Sequence, residues 1–164
     1  MIDPNTMTDY NKMKKLLLLD KLDGNRKGII RTIAETGQIV TSLENTFPAS
    51  RLTNPQTFTS LLFYYGMLTI KDTFGDMLIL GIPNNNVRKQ YYGYLLEQYQ
   101  EEKFVDLTQM KILFTYMALE GKWRDALEAM AKAYEDVSSV RDGIESERNL
   151  QGFFMAYLNL NNYY

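Results

Sequence analysis

Asn54–Leu95, NPQTFTSLLFYYGMLTIKDTFGDMLILGIPNNNVRKQYYGYL, is the stretch whose pattern decides the fold. Asn54 is a helix-capping residue, and Pro55 suits a first helical position because it has no donor to lose. Phe58, Leu61, Leu62 and Tyr65 then recur at helical spacing. Gly66 supplies a left-handed residue to end that helix. Met67 to Lys71 and Met77 to Leu80 are short apolar runs on either side of Asp72-Thr73-Phe74-Gly75-Asp76, the pattern of a β-hairpin. Pro83 stops the second strand, and Asn84, Asn85 or Asn86 can cap the following helix. A helix leading into a two-stranded ribbon is the second half of a winged helix. The expected fold is therefore mainly α with a small β-hairpin, α+β, a winged-helix-like unit followed by a helical tail.

Composition bounds the chemistry. The chain has 164 residues, with 45% hydrophobic and 23% charged, ordinary values for a soluble globular protein. Its formal net charge is -2, so no global basic field draws it to nucleic acid, and such binding would need a local patch. The absence of Cys removes disulfides, thiolate nucleophiles and cysteine metal sites. The absence of His removes the commonest general base and transition-metal ligand. Leu16 to Leu19 is far too short an apolar run to cross a bilayer, and MIDPNTMTDY has no signal core, so a cytoplasmic protein without membrane contact is expected. The 12 Tyr and 8 Phe are better assigned to core packing than to a stacking platform.

In chain order, Thr8 or Asp9 caps a first helix through DYNKMKKLLLLDKL, and Asp23-Gly24-Asn25 marks a turn. A second helix is expected from Arg26 to Thr36, ending at Gly37. Ile29, Ile30 and Ile33 form its apolar stripe, with Arg26, Lys27 and Arg31 towards the other side. Gln38 to Leu43 has the character of a short strand, and Glu44 to Thr53 that of a loop. Beyond the central stretch, Val87 to Lys103 forms a long helix with Val87, Tyr91, Tyr94, Leu95 and Tyr99 on its packing face. Asp106 or Thr108 caps a helix carrying Met110, Ile112, Leu113, Tyr116, Met117 and Leu119, which stops at Gly121. A helix from Lys122 to Glu135 places Trp123, Ala126, Leu127, Met130 and Ala133 inward. Val137 to Asp142 is a turn or a continuation. Ile144 to Leu160 is a last helix with Leu150, Phe153, Phe154, Tyr157 and Leu158 on one side. Strand signals end near Glu101 to Asp106, which divides the chain into residues 1–103 and 104–164.

Catalytic patterns are missing. No G-x-x-x-x-G-K-[ST] loop, no G-x-G-x-x-G turn and no G-x-S-x-G elbow occurs. Glu145 and Glu147 are two apart, so on a helix they point to different faces. A winged helix raises nucleic-acid binding, which rests chiefly on Lys and Arg at phosphates. The candidate recognition helix, residues 54 to 66, has no basic residue, and its expected exposed groups are Gln56, Thr57, Thr59 and Ser60. Arg51, Lys71, Arg88 and Lys89 are the nearby cations, so packing or an interdomain role ranks ahead of DNA binding. ALEGKWRDALEAMAKAYED has the spacing of one tetratricopeptide-type unit without a second copy, and a plain helix pair cornered at Gly121 is the simpler reading.

SLLFYYGMLTI (Ser60 to Ile70), LGIPNNNVRKQYYGYL (Leu80 to Leu95) and ERNLQGFFMAYLNLNNYY (Glu147 to Tyr164) together resemble one bacterial family, common in Bacteroidetes. Its members join an N-terminal AAA-type ATPase-like domain to a C-terminal nuclease-like domain of the PD-(D/E)XK superfamily. The first two segments are similar to the region on the C-terminal side of the ATPase core. The third is similar to the helix that opens the nuclease fold, which implies that Glu147 is that helix's carboxylate. By the same resemblance the phosphate-binding loop would lie before Met1, and the Asp and Glu-x-Lys that hold Mg²⁺ would lie after Tyr164. ATP and Mg²⁺ are then cofactors of the parent protein, not of this segment. The resemblance implies a truncated, non-catalytic connector whose partners are the two flanking domains. A DNA-binding module using Arg51, Lys71, Arg88 and Lys89, and a domain that self-associates through apolar helix faces, are the other two readings.

Overall fold

The computed structural model describes residues 26–46, 54–102, 105–138 and 147–161. The expected first helix and Arg51 lie outside them. The described residues form six helices and three strands: α1 (Arg26–Thr36), β1 (Gln38–Thr41), α2 (Pro55–Tyr64), β2 (Thr69–Phe74), β3 (Met77–Gly81), α3 (Asn85–Glu102), α4 (Leu107–Glu120), α5 (Trp123–Ser138) and α6 (Glu147–Leu158). The chain is mainly helical with a small antiparallel sheet, as the sequence indicates.

That sheet has three strands in the order β1-β3-β2. β1 joins the hairpin on the far side of β3, pairing Ile39 with Leu80 and Thr41 with Leu78. Helix, strand, helix and hairpin, with the first strand returning beside the last, is a winged-helix-like connection. The hairpin turn is tighter than the sequence pattern implies. Thr73 pairs with Leu78 and Phe74 with Met77, so only Gly75 and Asp76 form the loop. Gly75 takes φ 64°, the left-handed geometry that a two-residue turn requires. The ladder accommodates one more residue in β2 than in β3 because the register shifts between Ile70 and Asp72, leaving Lys71 as the extra residue of a bulge.

Two compact units divide within α3, between Tyr91 and Tyr92. The strand-to-helix change in composition falls later, at the end of that helix. In the first unit Ile30, Ile33, Phe58, Leu62 and Leu80 are fully buried. Tyr91 joins them and donates its hydroxyl to the Met67 carbonyl at 3.2 Å. Arg26 departs from expectation. It is 2% exposed, with its guanidinium 5.2 Å from the Phe58 ring centroid. A planar, weakly hydrated cation can be buried against an aromatic face where an ammonium would resist.

In the second unit, α4, α5 and α6 surround an aromatic centre. Phe153 is fully buried, with ring centroids of Tyr157 at 4.5 Å, Tyr99 at 5.0 Å and Tyr134 at 5.1 Å. Phe114, Ala126 and Met130 are also fully buried. Asp106 caps α4 by accepting from the backbone of Thr108 and Gln109, and Gly121 ends it at φ 69°. The helix pair cornered at Gly121 is therefore present. Trp123 and Leu127, expected inward on α5, are 55% and 40% exposed. Small Ala126 and Ala133 bring α5 close to its neighbours, and the larger side chains at the flank of that stripe remain outside.

Candidate functional site

The face of α2 that would enter a nucleic-acid groove is closed. Thr57, Thr59 and Ser60 are at most 2% exposed, contrary to the sequence expectation. They are covered because β1 and the segment after it run along the helix and hydrogen-bond to it. Ser60 Oγ accepts from the Glu44 backbone N–H at 2.9 Å and donates to the Gln56 carbonyl at 2.8 Å. Thr57 Oγ1 donates to Glu44 Oε2 at 2.5 Å. The hydroxyls of Thr41 and Thr59 are 3.0 Å apart, and Tyr64 donates to Asn45 Oδ1 at 3.0 Å. These side chains form a polar clasp between residues 41–45 and α2. Asn54 completes it at the helix start, its side chain accepting from the Gln56 N–H at 3.0 Å.

A hydroxyl held by a carboxylate is the beginning of a nucleophile–base pair. Thr57 and Glu44 have that arrangement, but Thr57 is fully buried and no substrate atom can reach it. The pair is a part-buried charge-assisted hydrogen bond that fastens the segment after β1 to the helix.

The sequence-derived cations do not converge through any described contact. Lys71 sits in the β2 bulge with its side chain laid over Gly81. A Cβ at Gly81 would stand 2.7 Å from Lys71 Cγ, so the missing side chain is what lets the lysine cross. Arg88 and Lys89 are exposed on the first turns of α3. Asn84 caps that helix, accepting from the Val87 N–H at 3.0 Å. The hairpin carries Asp72 and Asp76 against Lys71, a net negative ribbon, and α2 carries no charge at all. Such surfaces repel a phosphate backbone more than they attract it.

Glu147 is the first residue of α6, and its side chain falls outside the described part of the molecule. Among the described residues no three of His, Cys, Asp or Glu gather to hold a metal ion. Nor is any described helix long and apolar enough to cross a membrane.

The sequence reading expected exposed apolar helix faces without locating them, and the structure has such side chains on α4 and α5. Ile112 and Tyr116 are each 45% exposed, Leu119 is 66% exposed, and Trp123 and Leu127 continue the series on α5. Met110 and Phe114, two residues from Ile112 and Tyr116, are buried. The signal was present in α4, whose apolar residues occupy more than one face, a pattern that demands cover on more than one side. A shallow groove along it is lined by Thr108, Lys111, Ile112, Thr115 and Tyr116.

No family model, no curated protein and no solved structure matches this chain.

Proposed function

We propose that this polypeptide is a non-catalytic connector, joining an AAA-type ATPase-like domain to a PD-(D/E)XK nuclease-like domain and passing the nucleotide state of one to the other. The parentage rests on the resemblance of Ser60–Ile70, Leu80–Leu95 and Glu147–Tyr164. The observation that carries the mechanical role is covalent. α3 is one unbroken helix of 18 residues that starts in the first compact unit and ends in the second. At about 1.5 Å per residue it extends ~27 Å without a loop to absorb a displacement. The clasp on α2 also favours this reading over DNA delivery, because it occupies the side chains a recognition helix would present. ATP and Mg²⁺ would be held by the flanking domains.

The test has two parts. The purified chain is assayed with ATP and with duplex DNA in Mg²⁺, where neither hydrolysis nor cleavage is expected. Activity above background that disappears in Glu147→Ala would remove the proposal. The reading frame on both sides is then sequenced. A phosphate-binding loop before the segment and an Asp with Glu-x-Lys after it are expected, and unrelated flanks would reject the parentage.

A further inference from the structure

β2 is an outer strand of a kind that invites another strand to pair with it. It stands at one edge of the sheet, and five of its six residues are exposed. Thr69, Ile70, Thr73 and Phe74 are residues that favour strands, with Ile70 48% and Phe74 66% exposed. A free edge of this composition is a template for sheet extension by a second chain. We infer that the bulge at Lys71 is a guard that keeps β2 from pairing with β2 of a second copy of this chain, and that Gly81 makes the room the guard needs.

The register accounts for the effect. Thr69 and Ile70 pair with Gly81 and Leu80, while Asp72, Thr73 and Phe74 pair with Ile79, Leu78 and Met77, and Lys71 is the extra residue between the two groups. A regular strand arriving at this edge can follow the first group or the second, but not both, because the extra residue puts them out of step. Two or three residues fall well short of the usual strand of about 5–6, so neither group holds a ladder by itself. The bulge also bends and twists β2 away from the line an incoming strand would follow. The Lys71 stem then crosses Gly81, where a Cβ would stand 2.7 Å from Lys71 Cγ and 3.0 Å from Cε. The lysine is thus laid on its own sheet. The opposite edge is closed by other means. β1 has four residues, and at its start Thr36 Oγ1 accepts from the Gln38 N–H at 3.3 Å and lies 2.7 Å from the Gln38 carbonyl. The segment after β1 is drawn onto α2, where the Glu44 N–H donates to Ser60 Oγ. The inference requires nothing of any flanking domain.

Removing one residue from β2 removes the guard. With Lys71 deleted from the full chain, Ile70 and Asp72 become neighbours and every remaining pair keeps its partner on β3, so a regular ladder should form. Deleting Asp72 instead gives the same ladder, with Lys71 opposite Ile79. Loss of a cation takes the net charge from -2 to -3 and loss of an anion takes it to -1, so an effect shared by both deletions is not one of charge. Sedimentation across a concentration series is expected to show both deletions self-associating at least about tenfold more tightly than wild type. In both, the amides of β2 should gain concentration-dependent protection in hydrogen exchange, which association through another face would not produce. Lys71→Thr keeps the length and the bulge, and it should match wild type in both measurements. Deletion variants whose β2 amides exchange as in wild type at every concentration overturn the inference. So does β2 protection in only one of the two deletions, or in Lys71→Thr, because charge would then be the guard. A deletion that abolishes the sheet overturns it too, since the extra residue would then be needed to build β2 and not to guard it.

Discussion

Removing the clasp tests whether α2 is a buried structural helix or a recognition surface. In Ser60→Ala the Glu44 N–H loses the acceptor it now has at 2.9 Å, and in Thr57→Val the Glu44 carboxylate loses its donor at 2.5 Å. The Thr57 and Ser60 hydroxyls are fully buried but Glu44 is half-buried, so water can reach part of what Glu44 loses. Leaving one such group unmet costs ~1–3 kcal/mol. The two sites share Glu44, so their effects will not simply add. With Glu44 half-buried, about 2 kcal/mol for the double variant is the expected upper size, corresponding to a fall in Tm of at most roughly 8–16 °C for a unit of this size. If Thr57 and Ser60 instead faced solvent, the same changes would stay within ~0.5 kcal/mol. Thermal unfolding monitored by far-UV circular dichroism measures the loss, and hydrogen exchange should place it on α2 and residues 41–46. Tyr64→Phe is the control, because its bond to Asn45 is exposed and should contribute little. A double variant that unfolds with wild-type stability would refute the clasp as a structural element.

Three further outcomes are expected. Phe153→Ala removes a fully buried ring from the centre of the second unit and should cost ~3–5 kcal/mol, read as early loss of the α4–α6 amides in hydrogen exchange. Burial raises Tyr157 to about 12, the Gln100 amide beside it acting the other way, and burial also holds Tyr91 well above the usual phenol range. Because the folded pKa of each exceeds the unfolded value of 10.0, their contribution is complete below pH 10 and is lost as pH rises towards 12. Alkaline unfolding should therefore coincide with tyrosinate absorbance and move upward in Tyr157→Phe, and a stability that begins to fall well below pH 10 would contradict the assignment. Duplex DNA should show no salt-dependent binding in fluorescence anisotropy, and Lys71→Ala/Arg88→Ala should change nothing; binding at low salt that this variant abolishes would reinstate the DNA-binding reading.

Much of the fold was legible because the boundaries rest on local chemistry. Asn54, Pro55, Asp106 and Gly121 act within a few residues of themselves, and helices start or stop where they stand. The period of Ile29, Ile30 and Ile33 likewise states which side of α1 faces inward. Readings failed where a distant segment supplied the environment. Nothing near Thr57 or Ser60 in sequence announces that Glu44 will hydrogen-bond to both. A row of hydroxyls on a helix carries the same pattern whether water or a buried strand meets it. Arg26 failed for a related reason, since its cover, Phe58, is 32 positions away. The third strand was visible as a strand at Gln38–Thr41, but its place beside β3 depends on a long-range pairing that periodicity does not encode. Of the expected site residues, Lys71, Arg88 and Lys89 are exposed cations without a described contact that joins them, and Glu147 is placed only as the first residue of α6.

The two units use their side chains in opposite ways, and that separates stability from association experimentally. In the first, polar groups of α2 are turned inward and satisfied, which leaves that helix little with which to bind. In the second, α4 buries Met110 and Phe114 on one side while Ile112, Tyr116 and Leu119 stay open on the other. A carboxylate at Leu119, 66% exposed, removes no core contact, so Leu119→Glu should leave unfolding within ~0.5 kcal/mol of wild type while weakening association. Phe153→Ala should do the reverse. Loss of association in Leu119→Glu would result whether a second copy or a flanking domain covers the face. If Leu119→Glu instead unfolds the second unit, Leu119 belongs to the core and the face is not a surface at all.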